Sequence, residues 1–132
     1  MCIRDSSVSK FLEKGDYEYL NVISKDHTSD YGWAQFFKRQ VYIDGGMENE
    51  NFKAYAPEDK ERYYRFTTLG YKVGRINDYV YHLEHERGAN SWFSNPHMHS
   101  NMQLWDTLGN MSKKELLKYY SEQEYLKKYV SI

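Results

Sequence analysis

A proline, a run of charges and a closing glycine constrain this chain most. Pro57-Glu58-Asp59-Lys60-Glu61-Arg62 runs on to Leu69-Gly70. Proline suits the first positions of a helix, where its missing N–H is not needed. Acidic side chains there meet the positive end of the helix dipole. Glycine is the usual residue just past a helix end. The segment therefore predicts a helix over residues 57–69, with Arg62, Tyr63, Phe66 and Leu69 recurring at helical spacing.

The rest of the chain is punctuated around that helix. Gly45-Gly46 stops a helical turn or two over residues 38–44. Residues 47–55 follow as a loop longer than the usual connection, which hints at a binding role, with Phe52 and Tyr55 as anchors. The aromatic run at residues 32–37 reads as a buried strand, and residues 71–76 and 78–83 as two strands joined at Asn77-Asp78. Residues 97–108 and 112–125 read as two C-terminal helices. Ser112 and Glu115 form a capping box, and Leu116, Leu117, Tyr120 and Tyr125 form the inward stripe. This order of elements is α/β or α+β in character.

Composition narrows the function classes. At 132 residues the chain is one small domain or a piece of a larger one. A net charge of −1 leaves no electrostatic footprint for nucleic acid. No apolar run approaches the roughly 18 residues of a membrane span. The single cysteine, Cys2, excludes an internal disulfide framework. Fourteen tyrosines supply rings with a polar handle, suited to cores, interfaces and sugar-facing clefts alike. Residues 1–6 have no apolar core of a signal peptide and match nothing downstream, so they read as a non-native leader. Residues 7–111 then form the main body and residues 112–132 a helical extension.

Two sets of side chains carry chemistry. The Glu58-Asp59 pair has an ordinary role as dipole-stabilising residues of a first turn. Placed after a long loop, a carboxylate there also faces whatever the loop encloses and can take a proton from a hydroxyl. His82 and His85 sit three apart, with His97 and His99 beyond. Such histidines are commonly hydrogen-bonded or at the surface. As ligands they suit several divalent metals and do not name one. Arg87, Asn90 and Ser91 follow, and an arginine fork clamps a phosphate as readily as it forms a salt bridge. Tyr31, Trp33, Phe36 and Phe37 either pave a sugar site or form core. No Walker loop, G-x-G-x-x-G, cysteine metal motif or nucleophile elbow is present.

Read together, five blocks resemble the C-terminal half of a GT-A glycosyltransferase, of the family-2-like and galactosyltransferase C-terminal type. They are Tyr31-Gly32-Trp33-Ala34-Gln35-Phe36-Phe37, Gly45-Gly46-Met47-x-Asn49-Glu50-Asn51-Phe52, Pro57-Glu58-Asp59-x-Glu61-Arg62, Leu69-Gly70-Tyr71-x-Val73 and His82-Leu83-x-His85-x-Arg87-Gly88-x-Asn90-Ser91. The resemblance spans about residues 30–105. It implies the C-terminal part of an α/β, GT-A nucleotide-diphospho-sugar transferase fold. It implies a hexosyltransferase that takes a galactose- or GalNAc-like sugar from a UDP-sugar to the hydroxyl of a carbohydrate or glycan acceptor, with manganese or another divalent cation. Carried over, Asp59 is the base with Glu58 beside it holding the acceptor. His85 and His82 are metal ligands. Tyr31, Gly32, Trp33, Gly45, Gly46 and Tyr55 bind acceptor or donor sugar, and Arg87, Asn90 and Ser91 bind the diphosphate.

The chain departs from that pattern in ways that matter. Relatives place a D-x-D motif upstream, and none occurs in these 132 residues. The expectation is a fragment that carries the acceptor side and does not turn over alone. Trp33 stands where a small residue is common, and Ala56-Pro57 replaces a glycine-rich approach to the carboxylates. A carboxylate base implies inversion at the sugar carbon, and a retaining reaction on the same fold needs no such base. A non-catalytic carbohydrate-binding or interaction module is the alternative of a different class. A metallohydrolase built on His82, His85 and Asp59 is a poorer third, since it lacks a nameable third ligand.

Overall fold

The computed structural model describes residues 2–3, 18, 21, 31–32, 34–83, 88–91 and 94–130. The chain divides into two compact units, one of residues 1–35 with 75–87 and the other of residues 36–74 with 88–132.

The larger unit is helical. Its elements are α1 (Arg39–Asp44), α2 (Glu58–Leu69), α3 (Met98–Leu108), α4 (Lys113–Ser121) and α5 (Glu124–Val130). Helix α2 starts from Pro57 with Glu58, Asp59 and Glu61 in its first turn, as the sequence predicts. It ends in a Schellman arrangement, with Gly70 at φ 95°. The Gly70 N–H donates to the Thr67 carbonyl and the Tyr71 N–H to the Phe66 carbonyl. Helix α1 ends the same way over Gly45-Gly46. There the Gly46 N–H donates to Ile43 and the Met47 N–H to Tyr42, with Gly46 at φ 89°.

Gly46 is fixed by space as well as by dihedral. A Cβ there would stand 2.5 Å from Tyr120 Cδ1. Gly46→Ala is expected to destabilise the protein by about 2–4 kcal/mol, through left-handed strain plus overpacking. Urea unfolding checks this, and a change below about 1 kcal/mol would show that the ring moves aside freely.

Helices α2, α3 and α4 share one core. Leu69, Leu108, Leu116, Tyr120 and Leu126 are buried together, with Phe52, Tyr64, Leu104 and Met111 packed around them. Tyr64 meets Trp105 edge to face at 5.9 Å, and its hydroxyl donates to the Met111 carbonyl. The expected single helix over residues 112–125 is two, broken at Glu122-Gln123. The break turns Leu126 into the core and leaves Leu117 half exposed, contrary to the expected stripe. The capping box does form, with the Glu115 N–H donating to Ser112 Oγ and the Ser112 N–H to Glu115 Oε2. The Ser112 hydroxyl and then the Ser112 N–H, both donating to Glu115 Oε2, hold the Glu115 carboxyl below its ordinary pKa. Ser112→Ala is expected to lower the melting temperature by roughly 2–6 °C, the scale of one lost N-cap. Calorimetry reads this directly, and an unchanged transition would mean that α4 is held by packing alone.

The α/β expectation, and with it the GT-A fold, is overturned. Among the described residues the only ladder is a two-residue parallel pair, β1 (Cys2–Ile3) with β2 (His82–Leu83), in register Cys2–His82 and Ile3–Leu83. Residues 34–38 and 71–81 form no regular strand. Phe37 and Tyr71 pack against Phe66, but Phe36, Val73, Ile76, Tyr79 and Val80 are exposed, Phe36 at 85% and Ile76 at 78%. A strand needs a ladder partner and a continuous buried face, and among the described residues those segments join no ladder and bury only isolated rings. The chain is therefore helical in its described part, with no sheet of the kind an α/β fold requires.

Candidate functional site

A buried, extensively hydrogen-bonded polar assembly lies where α2 meets the loop that precedes it. Arg65 is fully buried, and its Nε donates to Glu61 Oε1 at 2.9 Å. Its Nη2 donates to Glu61 Oε2 at 3.2 Å and to the Met47 carbonyl at 2.8 Å, and its Nη1 donates to the Gly45 carbonyl. Tyr120 lies under the guanidinium at 4.3 Å, and its hydroxyl donates to Glu61 Oε1 and accepts from Asn49 Nδ2. Burial, with the Glu61 carboxylate beside it, pushes the Tyr120 hydroxyl far above its ordinary pKa, so it stays a donor. Arg65 thus caps the carbonyl end of α1 from the face of α2. This fixes where the loop at residues 47–56 begins.

One turn earlier, Arg62 builds a second, shallower link. Its Nη2 donates to Glu48 Oε1 and its Nη1 to Asp59 Oδ1 at 2.9 Å. Glu48 also accepts from the Tyr42 hydroxyl. Burial opposes the Arg62 charge, but Glu48 and Asp59 more than offset it and raise its pKa above the ordinary value. Asp59 is thereby tied to the loop through Arg62.

Glu58 is treated differently. It is half-buried, and its Oε2 is shielded from solvent with no hydrogen-bond partner among the described residues. Burial raises its pKa above the ordinary carboxylate value, and the neighbouring Asp59 and Glu48 charges add to the rise. Its own backbone N–H and Arg62 act the other way. A carboxylate that is dry, uncommitted at one oxygen and hungry for a proton has the attributes of a general base.

The far side of the loop is held by asparagines. The Asn95 and Asn101 side chains are buried, and each donates to the carbonyls of both Lys53 and Tyr55. The Tyr55 N–H donates to the Asn90 carbonyl at 3.3 Å. The expected loop at residues 47–55 is therefore real, and it is pinned at both ends.

The residues expected from sequence fall into three groups. Glu58, Asp59, Tyr55, Asn90, Ser91, Gly45 and Gly46 all belong to the larger unit. Asn90 reaches Tyr55 through its backbone. Ser91 closes a turn in which its N–H donates to Gly88 and its carbonyl accepts from Ser94. Gly45 and Gly46 are buried against Phe66 and Tyr120, so their part is to let the loop pass close to α2. Tyr31, Gly32 and His82 belong to the smaller unit, where His82 lies in β2. Trp33, His85 and Arg87 lie outside the described residues. No group of three His, Cys, Asp or Glu side chains able to hold a metal occurs among the described residues. His97 and His99 are exposed at the start of α3.

Glu48, Asn49, Glu61, Arg65, Asn95 and Asn101 were given no site role from the sequence. The i, i+4 spacing of Glu61 and Arg65 beside Phe66 and Leu69 was the available signal for a buried pair. Comparison with family models, curated proteins and solved structures found no match.

Proposed function

We propose that this chain carries the acceptor-binding, proton-accepting side of a hexosyltransferase that uses a nucleotide-diphosphate sugar. The observation that carries the reading is the division of labour at the start of α2. Asp59 is committed to Arg62, while Glu58 keeps a shielded oxygen without a hydrogen-bond partner among the described residues. The motif order from Gly45 to Ser91 supports the same class of reaction, by resemblance. The geometry favours Glu58 as the proton acceptor, with Asp59 as its neighbour held in place by Arg62.

In the reaction an acceptor hydroxyl approaches the sugar's anomeric carbon opposite the diphosphate. Glu58 takes the hydroxyl proton as the new C–O bond forms. The bond from the anomeric carbon to the diphosphate oxygen breaks, and its electron pair leaves on that oxygen. Displacement from the opposite face inverts the anomeric centre. The transition state has oxocarbenium character, as in glycoside hydrolysis, so proton removal and bond cleavage run together. The resemblance also implies a divalent cation held by His82 and His85. His85 lies outside the described residues, and those described assemble no ligand set.

Comparison of Asp59→Asn with Glu58→Gln in the full-length gene product tests the assignment. Glu58→Gln is expected to lose more turnover than Asp59→Asn, with donor affinity kept in both. Equal turnover of Glu58→Gln and the unaltered protein would overturn it. A non-catalytic saccharide-binding module is the second reading, and the lack of a D-x-D motif in these 132 residues favours it.

A further inference from the structure

Glu58 and Arg62 stand four apart on α2, with the acid on the N-terminal side. That is the order in which opposite charges attract across one helical turn. The expected pair does not hold. Arg62 gives Nη2 to Glu48 Oε1 and Nη1 to Asp59 Oδ1 at 2.9 Å. Glu58 Oε2 is left without a hydrogen-bond partner among the described residues. The acid that displaces Glu58 from the fork is Glu48, which comes from the loop and not from the helix.

Glu48 is set in place before Arg62 meets it. Both of its oxygens are used, since the Tyr42 hydroxyl donates to Oε2 at 3.1 Å and Arg62 to Oε1. Its backbone is fixed from the residue before. Met47 lies in the left-handed region at φ 52°, which a non-glycine residue rarely adopts unless its surroundings require it. The Met47 N–H donates to the Tyr42 carbonyl at 2.9 Å, and the Met47 carbonyl accepts from Arg65 Nη2 at 2.8 Å. The strained residue therefore aims Glu48 at Arg62. The Arg62 side chain is itself largely buried, with its guanidinium 6.0 Å from the centre of the Phe37 ring.

We propose that Glu48 is a positioning residue for the Glu58 base, holding the Arg62 fork away from Glu58 so that Glu58 keeps an oxygen for the proton of an incoming hydroxyl. The inference rests on the transferase reading for the proton that Glu58 takes. The charges around Glu58 agree with it. Burial disfavours the Glu58 charge most, and Asp59 on the helix and Glu48 on the loop disfavour it further; its own N–H and Arg62 favour it. An Arg62 hydrogen-bonded to Glu58 would shift that balance towards a stable, weakly basic carboxylate.

The test is the titration of the Glu58 side-chain carboxyl, followed by carbon NMR in the full-length gene product without donor or acceptor. In unaltered protein Glu58 is expected to titrate above the ordinary glutamate range. Glu48→Ala frees the Arg62 fork, and the Glu58 midpoint is expected to fall into that range or below it. Glu48→Gln removes the charge but keeps an oxygen for Arg62 Nη2, and is expected to leave most of the rise in place. The contrast separates positioning from the plain field of the Glu48 charge, which both substitutions remove alike. Glu48→Ser, also too short to reach Arg62, takes the place of Glu48→Ala should that variant fail to fold. An ordinary midpoint in unaltered protein, an unmoved midpoint in Glu48→Ala, or equal falls in Glu48→Ala and Glu48→Gln overturns the proposal. Absence of sugar transfer with the expected titrations sinks the transferase reading alone, and transfer with any of the contrary titrations sinks the role of Glu48 alone.

Discussion

Glu58→Gln is expected to stop transfer and to stabilise the protein in the same stroke. The loss of a positioned base is worth about 10²–10⁴ in rate, and glutamine, though nearly the same shape, accepts no proton. The gain in stability follows from linkage. Burial raises the Glu58 pKa in the folded state, so the folded protein binds this proton more tightly than the unfolded chain does. Stability from this group is therefore highest in acid. It falls as pH rises from the ordinary glutamate pKa through the raised one. At neutral pH the ionised carboxylate is a burden that glutamine removes. The melting temperature of Glu58→Gln should exceed that of the unaltered protein at pH 7, and the difference should shrink as pH falls below the ordinary glutamate range. A variant that loses activity while losing stability at pH 7 would point to a structural role for Glu58.

Arg65→Leu is expected to cost about 3–5 kcal/mol, the range for removing one partner of a buried ion pair. Arg65 and Glu61 are 0% and 1% exposed, so water cannot replace the lost contact. The substitution strands the Glu61 carboxylate with only the Tyr120 hydroxyl, and frees the carbonyls of Gly45 and Met47. The loop would lose its anchor to α2 along with the stability. Denaturant unfolding measures the cost, and a loss under about 1 kcal/mol would mean that the pair is not desolvated as the packing requires. Replacing Glu61 and Arg65 together by apolar residues should cost much less than Arg65→Leu alone, because no unpaired charge remains.

These two substitutions separate what was legible in the sequence from what was not. The helices were legible because their signals are local. Pro57 with the acidic first turn, Gly70, the Gly45-Gly46 stop and the Ser112/Glu115 box each act within a few residues. The strands failed because a strand is defined by a partner elsewhere in the chain. Val73, Ile76, Tyr79 and Val80 have the right residue types, yet they are exposed and join no ladder among the described residues. Composition favours a pleated surface only where one exists to join.

The carboxylate pair was also legible, but its internal asymmetry was not. Nothing in Glu58-Asp59 says which oxygen will meet Arg62 and which will be left dry. That depends on Glu48, ten residues upstream, and on the loop between. Asn95 and Asn101 were invisible for a related reason. Their donors serve the carbonyls of Lys53 and Tyr55, 40 to 48 residues away in sequence. Pairings of that separation leave no periodic trace.

The reading stands or falls on transfer itself. The direct measurement is incubation of the full-length gene product with a panel of UDP-hexoses and oligosaccharide acceptors, with the product's linkage read by NMR. An oligosaccharide lengthened by one hexose, with inverted anomeric configuration, is the expected result. Donor binding without any lengthened product, or a product with retained configuration, would contradict the account of Glu58 as the base.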